Sequence, residues 1–148
     1  FDIGNLSFID KIAKTKKPIV ISIGGAKIKH IDESIKTIRK YHNKIIIMHC
    51  VSQYPCPIEN LNLKNITKLK KRYSDLVIGS SDHFNGILSG PIAYILGARV
   101  FEKHVTFDRS FKGTDHSFSL EPEGFRKFVR DIKRSHTMLD SKKKQKCW

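Results

Sequence analysis

The chain has 148 residues, of which 39% are hydrophobic and 28% charged, and its formal net charge is +14 at pH 7. This length and composition predict one soluble domain with a core of its own. No apolar run approaches the roughly 20 residues that a membrane-spanning helix needs, so no membrane partner is expected.

The positive charge favours anionic partners in general, but its distribution argues against a nucleic-acid site. Lysines are scattered over the predicted helices, and the densest run, Lys142–Lys144, lies near the C-terminus, which is typical of solvated surface. The three cysteines, Cys50, Cys56 and Cys147, show neither disulfide-framework nor zinc-finger spacing. They indicate reduced thiols and a cytoplasmic protein.

Short strands rich in Val and Ile alternate with helices along the chain. In order, the expected elements are a helix over 7–15 with Ser7 as N-cap, a strand over 18–22, a helix over 31–42, a strand over 44–49, a helix over 63–73, a strand over 76–79, a helix over 87–96, a strand over 98–104 and a helix over 122–134. Continuous apolar strands that alternate with helices are typical of a parallel sheet covered on both faces. The predicted class is therefore α/β.

Polar residues lie at the carboxyl end of all four predicted strands: Ser22, His49, the run 81–83 and the run 102–104. A doubly wound sheet would place its ligand at one switch point. Chemistry at every strand end is typical of a (β/α)8 TIM barrel instead. Four strands are half of such a barrel, which needs about 250 residues, so we expect the first half to lie outside this chain.

Two histidines leave neighbouring predicted strands at equivalent places. If those strands are adjacent, about 4.8 Å apart, His83 and His104 lie side by side and can share one divalent cation with open positions for water and substrate. Two hydrogen-bonded loop histidines are the alternative interpretation. Lys103, Ser22 and Ser81, together with backbone N–H groups near Gly24-Gly25, are expected around the same site, where they could hold a phosphate.

Five segments carry a family resemblance: IVISIGGAK, IIIMHCVSQYP, GSSDHFNG, FEKHVTFDR and KGTDHSFSLEPEGF. In this order they resemble the second half of the sialic acid synthase (N-acetylneuraminate synthase) family, whose members condense phosphoenolpyruvate with an N-acetylhexosamine to a nine-carbon 2-keto acid. The resemblance assigns 1–137 to the C-terminal half of a TIM-barrel synthase domain, about strands 5–8. It leaves 138–148 as a basic tail at the start of a linker.

The resemblance also implies roles for individual residues. His83 and His104 correspond to the ligands of the catalytic Mn or Mg ion. The positions that correspond to catalytic or sugar-orienting residues are Tyr54, Glu102 and Asp115, and those expected to bind substrate are Ser22, Ser52, Ser81 and Lys103. The implied partners are phosphoenolpyruvate, an N-acetylated hexosamine such as N-acetylmannosamine, and a second copy of the intact protein in a homodimer.

Three departures from the family pattern leave the exact sugar open. The run Ser22-Ile23-Gly24-Gly25 stands where many members have Ser-Thr-Gly-Met, which removes one hydroxyl. Ser52 replaces a frequent Asn, and Thr114 replaces the Pro of Gly-Pro-Asp-His. Legionaminic, pseudaminic or 3-deoxy sugar acid synthesis therefore remains an alternative. A basic module that binds polyanions without chemistry is the alternative from another class.

Overall fold

The computed structural model describes residues 2–140 and shows an α/β fold built on one parallel sheet. The strands are β1 (Ile19–Ser22), β2 (Ile45–Cys50), β3 (Val77–Asp82) and β4 (Val100–Lys103). The helices are α1 (Leu6–Ala13), α2 (Ile28–Arg39), α3 (Lys64–Arg72), α4 (Ser89–Ile95) and α5 (Pro122–Asp140), with short 3₁₀ turns at Asp2–Gly4, Ile58–Asn60 and His116–Phe118. Every predicted strand and helix is present.

The strands pair in chain order, β1-β2-β3-β4, and all three pairings are parallel. One helix connects each pair, because α2, α3 and α4 each lie between two successive strands along the chain. Consecutive parallel strands joined by single helices form a half-barrel, as in one half of a TIM barrel. The α/β class is confirmed, whereas the position of these strands within a complete barrel stays a prediction.

One face of the sheet, here called the outer face, is packed under the helices. Side chains alternate along a strand, so Ile47 and Ile78 project from this face into the core. There they join Ile31 and Ile35 of α2 and Ile66 of α3, all of which are buried. Each fully buried Ile contributes roughly 1.5–3 kcal/mol, and this apolar layer therefore holds the sheet to its helices.

The opposite face, here called the inner face, carries the alternate residues of each strand. Val20 and Val77 lie on it and are 53% and 44% exposed, although apolar residues of a parallel sheet are normally covered on both faces. In a complete barrel the side chains of the remaining strands fill this space. Around Val20 and Val77 the inner face is therefore apolar surface that no described residue covers, whereas Met48 on the same face is buried.

Two helices begin earlier than expected. Asn5, not Ser7, caps α1: its side-chain oxygen accepts a hydrogen bond of 3.2 Å from the Phe8 N–H and one of 3.0 Å from the Ser7 hydroxyl. An amide oxygen is as good a cap as a hydroxyl, so the sequence offered two possible caps, two residues apart. Helix α2 begins at Ile28, three residues before the predicted start, without a side-chain cap.

Two elements are longer than expected. Strand β3 continues to Asp82, three residues beyond the predicted end, because its last polar side chains find partners on β4, Ser81 with Glu102 and Asp82 with Lys103. Helix α5 continues to Asp140 instead of Arg134, so the start of the predicted tail 138–148 is helical and residues 141–148 lie outside the described residues. No helix within 2–140 is both long and apolar enough to cross a membrane.

Gly79 is a close-approach position on the inner face, and its replacement provides a test of the packing. A Cβ there would lie 2.8 Å from the Val100 carbonyl oxygen and closer still to the Met48 sulfur. We expect Gly79→Ala to lower the free energy of unfolding by about 1–3 kcal/mol, because backbone and side chain must both shift. Gly4→Ala, where a Cβ meets nothing within 4 Å, is the control in the same urea titration. Equal stability of the two variants would contradict this packing.

Candidate active site

The rim of the sheet, meaning the carboxyl ends of β1–β4 and the loops that follow them, carries the site residues predicted from sequence, all but Lys103 on the side of the inner face. Cys50, Ser81 and Glu102 are register partners on three adjacent strands and share the inner face. The buried Ser81 hydroxyl donates a 2.6 Å hydrogen bond to Glu102 Oε1. A carboxylate acceptor makes such a bond strong, so the exposed Glu102 carboxylate has a fixed orientation.

His83 and His104 lie directly above this row. His83 follows Ser81 by two residues, and His104 follows Glu102 by two residues. Because side chains alternate along a strand, both histidines lie on the side of the inner face. Their ring centroids are 5.3 Å apart and the ring planes are nearly perpendicular, at 88°. The structure therefore brings together the two imidazoles that the sequence predicted to be neighbours.

The hydrogen bonds of His83 select its tautomer. Its Nδ1 lies 2.8 Å from the Val51 carbonyl oxygen, and a carbonyl can only accept, so Nδ1 carries the proton. This leaves the Nε2 lone pair available, 3.5 Å from the Ser81 hydroxyl oxygen. A ring nitrogen held in this way by a backbone carbonyl is typical of metal-binding histidines.

His104 is held by the loop that follows β4. Its Nδ1 lies 3.5 Å from Asp115 Oδ2, and its ring centroid lies 5.2 Å from that of the buried Phe118. Burial lowers the pKa of His104, and the neighbouring His83 lowers it further. The imidazole is therefore neutral at neutral pH and has a lone pair to offer.

The donor set fits two ligands of an open divalent-metal site. Both rings are oriented by other groups, and a neutral imidazole is a suitable ligand for Mn as for several other divalent ions. No group of three His, Cys, Asp or Glu side chains suited to a metal ion occurs among residues 2–140. His83 and His104 would thus hold a metal by two nitrogens, with its other positions left to water, substrate or further protein groups.

Tyr54 stacks on this pair. Its ring centroid is 4.0 Å from that of His83 and 5.8 Å from that of His104. The loop after β2 is fixed over β3 because the Cys56 N–H donates to the His83 carbonyl oxygen at 2.9 Å. Burial raises the pKa of Tyr54, and nearby acidic groups add to this effect. Its phenol is therefore a hydrogen-bond donor at neutral pH.

Asp115 reaches the pair from a long loop that folds back on β4. The Leu120 N–H donates to the His104 carbonyl oxygen and the Thr106 N–H donates to the Leu120 carbonyl oxygen, both at 2.9 Å. Near the end of the loop, the Ser119 hydroxyl donates to the Asp115 carbonyl oxygen at 2.6 Å. These bonds place the half-exposed Asp115 carboxylate beside His104.

Ser22 and Ser52 lie on the β1 and β2 side of the rim. Ser22 is exposed at the end of β1, on the inner face, and is the register partner of Met48. Ser52 packs against Gly24, where an added Cβ would lie 2.9 Å from the Cys50 sulfur and closer still to the Ser52 hydroxyl. Glycine thus allows the loops after β1 and β2 to touch next to Cys50.

The structure does not bring Lys103 to this group. Lys103 is the register partner of Asp82, and strand alternation turns both side chains to the outer face. Its ammonium lies 2.7 Å from Asp82 Oδ2, with 2% of the side chain exposed. Burial lowers the pKa of Lys103, while Asp82 opposes this. Lys103 therefore lies apart from the residues on the inner face, because strand alternation gives that face to the neighbouring His104.

Sequence reasoning missed Cys50 and Phe118 as members of the site. Burial raises the pKa of the Cys50 thiol, which lies within hydrogen-bonding reach of Ser52 and Ser81. Counting alternate residues back from His83 and across to β2 would have found Cys50. No sequence signal pointed to Phe118, which reaches His104 only through the folded-back loop.

Comparison with known proteins shows the family of this chain. Residues 1–144 match the NeuB family, and the chain belongs to this family. It is 38% identical to spore coat polysaccharide biosynthesis protein SpsE from Bacillus subtilis, over 94% of this chain and 38% of that protein. It is 35% identical to human N-acetylneuraminate-9-phosphate synthase, over 97% of this chain and 40% of that protein. The chain thus spans about two fifths of these relatives.

A solved structure agrees in fold. The sialic acid synthetase of Leptospira borgpetersenii, crystallised with citrate, superposes with a TM-score of 0.90 at 33% identity, over 97% of this chain and 50% of that one. Other relatives are named N,N'-diacetyllegionaminic acid synthase, from Legionella pneumophila, and pseudaminic acid synthase, from Campylobacter jejuni, at 34% and 35% identity. The relatives thus include synthases of several sugar acids.

The contact between Asp115 and His104 predicts a measurable pKa change. The carboxylate stabilises the imidazolium, so it raises the pKa of His104 against the stronger effect of burial. We expect Asp115→Asn to lower the pKa of His104 further, as measured by NMR titration of the histidine side chains in the metal-free protein. Asp75→Asn, whose carboxylate pairs with Arg39, is the control. An unchanged or raised pKa in Asp115→Asn would contradict the contact.

Proposed function

We propose that this NeuB-family chain supplies strands five to eight of a (β/α)8 barrel synthase. The enzyme would condense phosphoenolpyruvate with an N-acetylhexosamine, such as N-acetylmannosamine, to a nine-carbon 2-keto sugar acid and release phosphate. The observation that carries the proposal is the side-by-side placement of His83 and His104 above the Ser81–Glu102 hydrogen bond, in a chain of this family. Two oriented imidazoles beside a fixed carboxylate suit metal-assisted carbonyl chemistry.

The open inner face supports the placement in a longer barrel. Val20 and Val77 are apolar and exposed on a face that parallel sheets normally cover. The chain also spans only 38% and 40% of the two curated relatives compared above. We infer that four further strands of the intact protein cover this face and complete the rim from the other side.

The residues of the rim have separate tasks in this proposal. His83 and His104 would hold a Mn or Mg ion, which when bound polarises the aldehyde of the open-chain sugar as a Lewis acid. Tyr54, stacked on His83, would donate a hydrogen bond to a sugar hydroxyl or acetamido oxygen, and Asp115 would accept one from a hydroxyl. Such contacts hold the aldehyde carbon at the distance that bond formation needs.

The hydroxyls on the inner face would receive phosphoenolpyruvate. Ser22, Ser52 and Ser81 lie on the β1–β3 part of the rim. The hydroxyls of Ser22 and Ser52 can donate to phosphate or carboxylate oxygens, whereas Ser81 would donate to them only by giving up its hydrogen bond to Glu102. Lys103 has no part in this binding, because its ammonium is engaged with Asp82 on the outer face. Phosphoenolpyruvate would lie with its methylene carbon towards the histidine pair.

In the proposed reaction the methylene carbon of phosphoenolpyruvate attacks the aldehyde carbon, and water adds to the cation-like C2. Glu102 accepts the proton that this water loses, and the alkoxide formed from the aldehyde takes up one proton in exchange. The resulting tetrahedral phosphate ester collapses with cleavage of the bond between C2 and the phosphate oxygen. The C2 hydroxyl gives its proton to the departing phosphate, so that a ketone forms. Glu102 suits the proton transfer because Ser81 already fixes its carboxylate.

The sugar is the part of the proposal with a specific alternative. The chain matches the legionaminic and pseudaminic acid synthases over about the same length, and with about the same sequence identity, as it matches the human N-acetylneuraminate-9-phosphate synthase. A diacetamido sugar is therefore the second candidate. Comparing kcat/KM over a panel of N-acetylated hexosamines separates the two. A polyanion-binding module without chemistry would give no phosphate release with any of them.

The histidine pair provides the test of function. In the full-length protein, phosphate release from phosphoenolpyruvate and an N-acetylated hexosamine should depend on Mn or Mg. His83→Ala should lower kcat/KM roughly a thousandfold, because a lost metal removes several kcal/mol of transition-state stabilisation. His30→Ala, at an exposed position of α2, should retain activity. Full activity of His83→Ala would refute the assignment.

The open inner face predicts the behaviour of the chain by itself. We expect residues 1–148 alone to release no phosphate above background, because the site would lack the strands that face β1–β4. The readout is the same phosphate assay with and without metal, using the full-length protein as positive control. Metal-dependent turnover by the 148-residue chain alone would contradict the half-barrel proposal.

A further inference from the structure

A buried ion pair lies directly behind the two imidazoles. Asp82 and Lys103 are the last register partners of β3 and β4, and each immediately precedes one of the histidines in sequence. The ammonium nitrogen is 2.7 Å from Asp82 Oδ2, and the side chains are 4% and 2% exposed. The strands are therefore tied together on the outer face at the level where the histidines leave the inner face.

The pair also holds the turn that follows His83. Lys103 donates to the Phe84 carbonyl oxygen, and Asp82 Oδ1 accepts from the Phe84 N–H at 2.9 Å. The hydroxyl of Ser89, in the first turn of α4, donates to Asp82 Oδ2. The residue before His83 and the backbone of the residue after it are thus both held by this one buried carboxylate and one buried ammonium.

Stability is a poor explanation for such a pair. Buried ion pairs pay a large desolvation cost, and well-packed apolar replacements of both partners are often as stable or more stable. The pair does fix backbone positions, because its hydrogen bonds hold the last residues of both strands and the start of the loop that follows β3. Apolar side chains of equal volume would fill the space without fixing these positions.

We propose that Asp82 and Lys103 are a positioning pair that holds His83 and His104 at the mutual distance and angle needed to share one metal ion. This inference rests on the proposed function, because it assigns the pair a role for the same histidines. Neither residue touches the metal or the substrate. Both act through the strand ends that carry the imidazoles.

The test separates positioning from stability. In the full-length protein we expect Asp82→Leu/Lys103→Met to melt within about 5 °C of the natural protein. Its Co²⁺ affinity, measured by calorimetry and by the visible absorption of bound Co²⁺, should fall roughly 10–100-fold, as for other groups that orient metal ligands. The ¹⁵N shifts of the His83 and His104 rings in the metal-free protein should also change. If this variant does not fold, Asp82→Asn/Lys103→Gln provides the same readouts.

The control is the exposed Arg72–Asp32 pair, which joins α3 to α2. Asp32→Asn should leave Co²⁺ affinity unchanged. A folded double variant that binds Co²⁺ as tightly as the natural protein, with unchanged ring shifts, would overturn the positioning role alone. If the natural protein binds no Co²⁺, or binds it equally well after His83→Ala, the metal assignment itself fails and the positioning role fails with it.

Discussion

The parallel pairing of β3 with β4 is the interaction on which the site depends. Its register aligns Ser81 with Glu102 and Asp82 with Lys103, and it carries His83 and His104 to neighbouring places beyond the strand ends. A shift of one residue in either strand would send one histidine to the helix side of the sheet. The buried contacts at the end of this pairing are therefore part of the chemistry as well as of the fold.

Because side chains alternate along β3 and β4, the two faces of the sheet carry residues with different roles. The inner face carries a serine, a carboxylate and the two imidazoles, of which Ser81 and His83 are buried and Glu102 is exposed. The outer face carries the Asp82–Lys103 pair and the apolar core under the helices. The net charge of +14 is thus a poor guide to the site, because the lysine beside the histidines is neutralised on the side away from them.

Much of this could be predicted from the sequence, because its signals are local. Apolar runs gave the four strands, and equivalent placement at two successive strand ends gave the histidine pair. The direction of Lys103 was missed because chemistry at a strand end suggested that every polar residue there faces the ligand, whereas alternation allows only every second one. The end of β3 was missed because Ser81 and Asp82 look like loop residues until their partners on β4 are known. Phe118 required the path of a long loop, which no local pattern specifies.

Pulsed EPR on the Mn²⁺-loaded full-length protein can show whether two imidazoles from adjacent strands share one metal ion. We expect coupling of the Mn²⁺ electron spin to two histidine ring nitrogens, reduced to one in His104→Ala. A spectrum without histidine nitrogen coupling, or one that His83→Ala and His104→Ala leave unchanged, would rule out a shared metal ion.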